Sequence, residues 1–374
     1  MQRPDYVPLV AARLAHDRRL AERLAHFYAQ LSARPRAWRR RFGRRARLSL
    51  GAAALLLALS GAPALRAAPA ATITVANGEV AVADNGLCSL IEAINNANDT
   101  VDGMGNPPGH DDCVAGNPAG ADTIALPSDG AFSVSVVLND EYGYSGLPLI
   151  DSTITIEGAG ATITRSGAEE LRFFTVKENG NLTLNNVTLT GGMTEFDNGG
   201  AVYAAYNSVL TLNNCTLSGN EAANGGALAT YYSTVTIIDS TFDGNDAYAG
   251  GKGGALYIVN STLTLTASTL SGNTATDGDG GGLHMADGTA TITDLTAEAN
   301  EAYQGGGATI SYADATITDS LISGNLTSEY GSGGGLYLTD AIVILSGTTI
   351  GENAAPYGAG LLALGGTWEV AGGT

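Results

Sequence analysis

The sequence predicts an all-β fold, a single-stranded right-handed parallel β-helix with an N-terminal α-helical cap. Three markers recur in phase along the chain and indicate this architecture. Gly-Gly pairs followed by small apolar residues begin at Gly199-Gly200 and return at intervals of 26, 28, 27, 25, 28 and 25 residues. An Asn ends a Ser/Thr-rich segment in each unit, and a short apolar-Thr-apolar stretch lies between these two markers.

Each repeat contains three short stretches in which apolar and Thr or Ser side chains alternate, and this pattern predicts three strands per coil. A unit of 25–28 residues is too short to bury a two-layer core of its own, so it must stack on its neighbours. The rival fold, a β-propeller, needs four strands and about 40 residues per blade. Because parallel connections are right-handed, we expect a right-handed coil over residues 131–374.

The recurring Asn residues are expected to lie at one internal turn of every coil. An Asn side chain can donate to one neighbouring coil and accept from the other, and such amide ladders recur in stacked strands. A structural ladder is therefore favoured over a catalytic or metal-binding role. The predicted ladder consists of Asn220, Asn245, Asn273, Asn300, Asn325 and Asn353.

The charge is divided unevenly along the chain. The first 70 residues carry 14 of the 18 Lys and Arg but 3 of the 37 Asp and Glu, which leaves 34 acidic against 4 basic side chains from residue 71 onward. A formal charge of −30 excludes a nucleic-acid partner or an anionic membrane surface, since both require clustered Lys and Arg. The mean hydropathy of +0.07 also argues against disorder.

Residues 1–70 are interpreted as an extended leader and signal peptide. Clustered arginines between Arg39 and Arg47 precede an apolar run from Leu48 to Leu59, which small-residue cleavage sites follow. This order is typical of secretory signals, and the run is shorter than the roughly 20 residues of a membrane-spanning helix. An uncleaved, membrane-anchored leader is the alternative. We expect a secreted or cell-surface protein, with no transmembrane segment in the mature chain.

Export permits disulfide bonds. Cys88 and Cys113 share one irregular stretch, and a bridge between them would close a loop of about 25 residues, for which the chain-entropy estimate is roughly 3 kcal/mol. Cys215 occupies a repeat position where other copies place Ser240, Ser268 and Ser320. We therefore predict a Cys88–Cys113 disulfide and a buried, unpaired Cys215.

An open β-helix needs a lid, and residues 71–130 are predicted to supply this cap together with the first strand. Ser89 and Glu92 have capping-box spacing, and the residues from Leu90 to Ala97 give an apolar helix face. That face is expected to cover the first coil.

Here the chain resembles a known family. Cys88-Ser-Leu-Ile-Glu-Ala-Ile94 is similar to the Cys-Ser-Leu-Arg-Glu-Ala-Ile signature of CSLREA-domain secreted proteins, and Ala121-Asp-Thr-Ile-Ala-Leu-Pro127 fits the strand that follows it there. The repeats resemble those of polymorphic outer membrane proteins, with a pectin-lyase-like coil. The resemblance implies an exported bacterial surface or secreted protein, commonly without an assigned activity. Ile91 replaces the Arg of the signature. Thr367–Val370 begins a new strand near the end of the sequence, so a truncated product that ends mid-coil is expected.

The alternative function is a polysaccharide lyase or glycoside hydrolase of the pectin-lyase-like fold. A lyase needs a Lys or Arg base beside calcium-binding carboxylates, and a hydrolase needs facing carboxylates at a defined separation. Arg172 falls near the first coils and is expected to lie far from the acidic turns. Lys252 is the one base within the repeats. No complete catalytic set is found, so the sequence favours a protein without enzymatic activity.

Calcium is the one candidate ligand ion, and no other cofactor is predicted. Asp277 and Asp279 place two carboxylates one residue apart on a predicted turn, and Ca²⁺ prefers oxygen ligands. The alternative is a solvated acidic turn, since the spacing does not match an EF-hand.

The preferred function is structural or adhesive binding on a Tyr-bearing sheet face. Side chains directly after the Gly-Gly units should point outward in one column, as Tyr203, Tyr257, His284 and Tyr337, with Tyr231 and Tyr232 nearby. Tyrosine rings offer flat apolar faces and hydroxyl groups that suit carbohydrate or protein ligands. The alternative is that the rings pack only on each other. We expect a monomer with an extracellular carbohydrate or protein ligand.

Overall fold

The computed structural model describes residues 71–98, 112–117 and 121–373. This part of the chain forms about nine coils of right-handed parallel β-helix with one short helix, which confirms the predicted fold class. The predicted leader, residues 1–70, lies outside the described residues, as do residues 99–111 and 118–120 of the predicted cap. No helix within the described ranges has the length and apolar character required to cross a membrane.

Sheet 1 is the longest of four parallel sheets, and it runs the full length of the described coils. Its side chains alternate between buried apolar residues and outward Thr, as in Leu210-Thr211-Leu212, because successive side chains of a strand point to opposite faces. Its strands in the described residues are Thr72–Thr74, Asp122–Ala125, Thr153–Glu157, Asn181–Asn185, Val209–Asn213, Thr234–Ile238, Thr262–Thr266, Thr289–Thr293, Asp314–Thr318, Ile342–Ser346 and Thr367–Ala371.

Sheets 2 and 4 complete the predicted three strands per coil. Each contributes inward Leu, Ile, Val or Phe side chains to one continuous apolar core. Sheet 2 contains Ala131–Val134, Thr162–Arg165, Thr188–Thr190, Thr216–Ser218, Thr241–Asp243, Thr269–Ser271, Thr296–Glu298, Leu321–Ser323 and Thr349–Gly351. Sheet 4 contains Phe174–Val176, Val202–Ala204, Leu228–Tyr231, Leu256–Val259, Leu283–Ala286, Ala308–Ser311, Leu336–Thr339 and Leu361–Leu364.

The structure adds a fourth strand to most coils, where the sequence predicted three. This strand follows the recurring Asn and forms sheet 3, whose members pair in parallel despite bulges. The stretch is rich in Ala, Glu, Asp and Gly, so its composition does not favour a strand, and it becomes one because neighbouring coils hold it in register. Sheet 3 contains Met193–Asn198, Glu221–Asn224, Asp246–Ala247, Thr274–Asp279, Glu301–Gln304 and Leu326–Ser332.

The six recurring Asn residues form one internal ladder at the corner between sheets 2 and 3. The side-chain Oδ1 of Asn245 accepts from the backbone N–H of Asn220 at 3.1 Å and from its Nδ2 at 2.9 Å. The Nδ2 of Asn245 donates to the Leu217 carbonyl at 2.9 Å. The same contacts continue through Asn273 toward Asn353. Each amide therefore satisfies buried backbone groups of two coils.

The corner between sheets 1 and 2 buries Cys215 in a column with serines, as the repeat position predicts. The backbone N–H of Cys215 donates to the hydroxyl of Ser240 at 3.1 Å, and that of Ser240 donates to Ser268. The thiol is free, and its burial raises the pKa of Cys215 to about 11. A thiol with so high a pKa is a packing group and a poor nucleophile at neutral pH.

The cap is helix α1, Leu90–Ala97. Ser89 and Glu92 form the predicted capping box: the Ser89 hydroxyl accepts from the Glu92 N–H, and the Glu92 carboxylate accepts from the Ser89 N–H. The apolar face of α1 is buried with the start of the core. The predicted Cys88–Cys113 disulfide is present and ties the segment around Cys113 to the helix start.

The ladder generates the first testable prediction. Asn273→Ala should lower the free energy of unfolding by about 3 kcal/mol, because buried polar groups left without partners cost ~1–3 kcal/mol each. The Asn245 amide and the Phe242 carbonyl would both lose their contacts to Asn273. Urea unfolding followed by circular dichroism measures the change.

The matched control is Asn181→Ala, since Asn181 lies half-buried on the outer face of sheet 1. A surface substitution of this kind should change the free energy of unfolding by about 0.5 kcal/mol or less. Equal effects of the two substitutions would contradict a structural role for the ladder.

Candidate functional site: an aromatic groove between sheets 3 and 4

Glycine pairs form the corner at which sheet 3 turns into sheet 4. Gly225 has a φ of +61°, which side-chain-bearing residues rarely adopt. A Cβ at Gly226 would overlap the carbonyl oxygens of Gly254 and Asp246 in the next coil. The first glycine therefore provides the turn and the second allows close approach of the coils, so that the residues on either side of the corner lie near each other.

A row of polar side chains borders the corner on sheet 3. The Asn224 amide donates to Asn198 Oδ1 at 2.8 Å, and the Lys252 backbone N–H donates to Asn224 Oδ1 at 2.9 Å. Lys252 Nζ lies 2.8 Å from Asp279 Oδ2, and Gln304 follows Asp279 in register. These contacts between coils fix the row along the helix axis.

A row of aromatic side chains borders the same corner on sheet 4. Tyr203, Tyr257, His284 and Tyr337 occupy one register column, the column in which the sequence places them. Between Tyr203 and Tyr337, two members of the column are not aromatic. They are Ala229, between Tyr203 and Tyr257, and Thr309, between His284 and Tyr337.

Tyr231 closes the gap at Ala229. It lies two residues later on the same strand and therefore on the same face. Its ring centroid is 6.1 Å from that of Tyr203 and 5.7 Å from that of Tyr257, and the Tyr257 ring stacks on His284 at 5.5 Å. The aromatic contacts are thus continuous from Tyr203 to His284.

A buried arginine, Arg172, lies at the N-terminal end of the row, and the sequence did not assign it to the site. Arg172 is fully buried, and its guanidinium lies 5.3 Å from the Tyr203 ring centroid. Arg172 donates to the Tyr142 carbonyl, and its Nη2 atom lies 3.9 Å from Asp197 Oδ2. Burial lowers the pKa of Arg172 to about 10, which leaves it charged at neutral pH. The Tyr142 ring extends the row, 6.4 Å from Tyr203.

Two hydrogen bonds outside the core join the two sides of the corner. Asn198 Nδ2 donates to the Tyr231 hydroxyl at 3.5 Å, and the Thr309 hydroxyl donates to the Gln304 carbonyl at 3.0 Å. We call the surface between the two rows the aromatic groove. Its walls are the polar row (Asn198, Asn224, Lys252, Asp279, Gln304) and the aromatic row (Tyr142, Tyr203, Tyr231, Tyr257, His284).

His284 is the most buried ring of the aromatic row, with 4% of its surface exposed. Its Nδ1 atom is buried and has no hydrogen-bond partner among the described residues. Burial lowers the pKa of His284 to about 4; the Lys252 ammonium contributes in the same direction, and Asp279 opposes it. The imidazole is therefore neutral at physiological pH, with an unused polar atom.

The hydroxyl groups of Tyr203 and Tyr231 remain protonated at neutral pH. Burial is the main cause that raises the pKa of both Tyr203 and Tyr231, and neighbouring tyrosines raise both further. Protonated phenols can both donate and accept, and their ring faces are apolar. Their exposed parts form a surface suited to a ligand with alternating hydroxyl and C–H faces.

Two of the predicted binding residues lie apart from the continuous aromatic contacts. Tyr337 shares the register column but follows Thr309 and is 9% exposed. Tyr232 lies at the opposite end of its strand, where sheet 4 turns into sheet 1, and its ring stacks on Tyr206 instead.

The predicted calcium ligands are Asp277 and Asp279, at the end of a sheet 3 strand. Asp279 is engaged by Lys252, which supplies a positive charge where a cation would need to sit. No group of three or more His, Cys, Asp or Glu side chains within the described ranges is arranged to hold a metal ion. Calcium binding stays a prediction.

Comparisons with protein-family models, with curated proteins and with solved structures were made for the whole chain. None gave a match. The site is therefore interpreted from its own geometry.

The burial of His284 generates the second prediction. Its unfolded-state pKa is near 6.5 and its folded-state pKa is about 4, so between these values the unfolded chain binds more protons. Stability should therefore fall as the pH is lowered from 6.5 to 4. NMR titration of the His284 ring protons should give a midpoint near pH 4, and a midpoint near 6.5 would contradict the buried, neutral ring.

His284→Thr is the matched variant, because Thr309 occupies the same column in the next coil. The free energy of unfolding of this variant should depend less on pH between 6.5 and 4 than that of wild type, because the contribution of His284 is removed.

Proposed function

We propose that the protein is a secreted or cell-surface β-helix protein of the CSLREA type, with an adhesive role, that binds carbohydrate along the aromatic groove. The observation that carries this proposal is the unbroken line of aromatic contacts from Tyr142 through Tyr203, Tyr231 and Tyr257 to His284, with centroid separations of 5.5–6.4 Å.

The direction of the row supports an elongated ligand. Coils rise by about 4.8 Å, so each added coil brings another ring or hydroxyl group along the same line. The strands that carry the row are held in register, which fixes the spacing before any ligand arrives. A pre-organised surface loses little conformational entropy on binding.

The polar row supports a carbohydrate over an apolar peptide. Opposite the rings lie amide and charged groups, among them Asn198, Asn224 and Gln304, that can bond to sugar hydroxyls. Tyr203, Tyr231 and Tyr257 are half-buried, so parts of these rings are open to a ligand. Sugar rings match this pattern of apolar faces and polar edges.

The charge supports a neutral glycan. With 34 acidic and 4 basic side chains from residue 71 onward, the surface potential opposes a polyuronate. Two of the four basic residues, Arg172 and Lys252, already contact Asp197 and Asp279. Lys252 is thus engaged in an ion pair, which does not favour a role as the free base of a lyase.

Two features support export. The arginine-rich leader with its short apolar run has the order of a secretory signal. The Cys88–Cys113 disulfide fits an oxidising compartment, since structural disulfides are rare in the cytosol.

The third prediction tests the groove. The purified protein should be retained by immobilised neutral oligosaccharides, and Tyr203→Ala and Tyr257→Ala should each weaken retention about tenfold, or ~1.4 kcal/mol. Tyr257→Phe keeps the ring and should bind within about threefold of wild type. Affinity measured on a glycan array, with polygalacturonate for comparison, checks the expectation.

The matched control is Tyr312→Asn, which removes an exposed tyrosine at a different corner. It should leave retention unchanged. No retention by wild type, or equal retention by all variants, would contradict groove binding. Release of unsaturated or reducing sugars would favour the enzyme instead, and retention by proteins alone would favour a protein ligand.

A further inference from the structure

Two exposed tyrosines stack on each other at the corner where sheet 4 turns into sheet 1. The Tyr206 and Tyr232 rings are 5.3 Å apart with an interplanar angle of 17°, and about half of each side chain is exposed. Tyr206 belongs to the coil before Tyr232, and this coil has one extra residue at the corner, since Ala204 and Val209 pair with Thr230 and Thr234. The stack therefore presents an oriented aromatic face to solvent.

The backbone at Tyr232 adopts a conformation that tyrosine disfavours. Its φ is +52°, whereas the equivalent corner residues of the flanking coils are Asn207 and Asn260, with φ of +57° and +51°. Asn tolerates this left-handed conformation, but a bulky residue there costs of order 1–3 kcal/mol. Both flanking coils make this turn with Asn, so the turn itself does not require a tyrosine.

A depression of about 380 Å³ is lined in part by Tyr232. This volume lies within the range of about 300–1,000 Å³ typical of small-ligand sites. Residues of three successive coils line it, among them the polar residues Asn207, Thr234, Asn260 and Thr262. An aromatic face bordered by amide and hydroxyl groups is a surface on which a sugar ring can stack while its hydroxyls form hydrogen bonds.

We infer that this corner is a second binding site, separate from the aromatic groove, and that it takes a neutral sugar residue stacked on Tyr232. We call it the corner site. The apolar face of the sugar lies on the ring, and its hydroxyls bond to Asn207 and Asn260 on either side. Tyr206 is a positioning residue, because it packs on Tyr232 without lining the depression.

The ligand is neutral for electrostatic reasons. The depression is lined by uncharged side chains only, so no cation is present to pair with a carboxylate or sulfate on the sugar. The surrounding surface is strongly acidic and opposes anions.

The corner site and the groove are built from different residues. The Tyr231 ring contacts Tyr203 in the groove, whereas the ring of its neighbour Tyr232 contacts Tyr206. Either site can therefore be removed without the other, and the failure of one proposal leaves the other testable.

Tyr232→Asn is the decisive variant, because it installs the residue that both flanking coils already use. It removes the ring and relieves the backbone strain, so the urea midpoint should equal or exceed that of wild type. Affinity for immobilised glucose-, galactose-, mannose-, xylose- or N-acetylglucosamine-based oligosaccharides should fall at least tenfold at the corner site. Shifts of the Asn207 and Asn260 side-chain amide signals in NMR spectra report occupancy of this site alone.

Tyr312→Asn is the matched control. Tyr312 has the same corner position and a φ of +52°, but it does not line the depression. It should show the same change in stability and no change in sugar affinity. Tyr257→Ala, in the groove, should leave the Asn207 and Asn260 shifts unchanged.

Two outcomes would overturn the inference. One is the absence of any shift at Asn207 and Asn260 with all the neutral sugars. The other is a Tyr232→Asn variant with the same sugar affinity and the same amide shifts as wild type. This outcome includes the case in which only Tyr257→Ala abolishes retention.

Discussion

The internal amide ladder is the interaction on which the rest of the structure depends. At the corner between sheets 2 and 3 the backbone turns away from its sheet partners inside an apolar core, where unpaired N–H and C=O groups are costly. Each Asn of the ladder satisfies such groups in two coils, and the five from Asn220 to Asn325 are fully buried. A shift of one coil by a single residue would break these contacts, so the ladder fixes the register of every sheet.

A fixed register arranges the outward side chains of the repeats in regular columns. Because residues at equivalent positions stack along the axis, a substitution in one coil changes a column and not an isolated point. The aromatic groove illustrates this. Ala229 would interrupt the row of rings, but Tyr231, two residues further along the same face, contacts the rings on both sides. The stacked coils form a rigid scaffold, and the outward columns are free to vary for binding.

The fold could be predicted from the sequence because its period is local and repeated, and the capping box and the disulfide follow from short motifs. The candidate site was only partly predictable. Alternation along the strand placed Tyr203, Tyr257 and His284 in one column, but Arg172, which precedes the strand Phe174–Val176, reaches the groove through contacts that no spacing encodes. Tyr232 was assigned to the same stripe because it adjoins Tyr231, whereas the left-handed corner directs it to Tyr206. The strands of sheet 3 were missed because pairing, and not composition, makes them strands.

Hydrogen exchange at the ladder tests this account most directly. The backbone N–H groups of Asn220, Asn245, Asn273 and Asn300 each donate to the next Asn side chain. If the ladder fixes the register, these four amides should exchange only through global unfolding, with protection equal to the full free energy of unfolding. Exchange as fast as that of Gly250, in an exposed loop, would show that coils slip or open independently and would contradict the account.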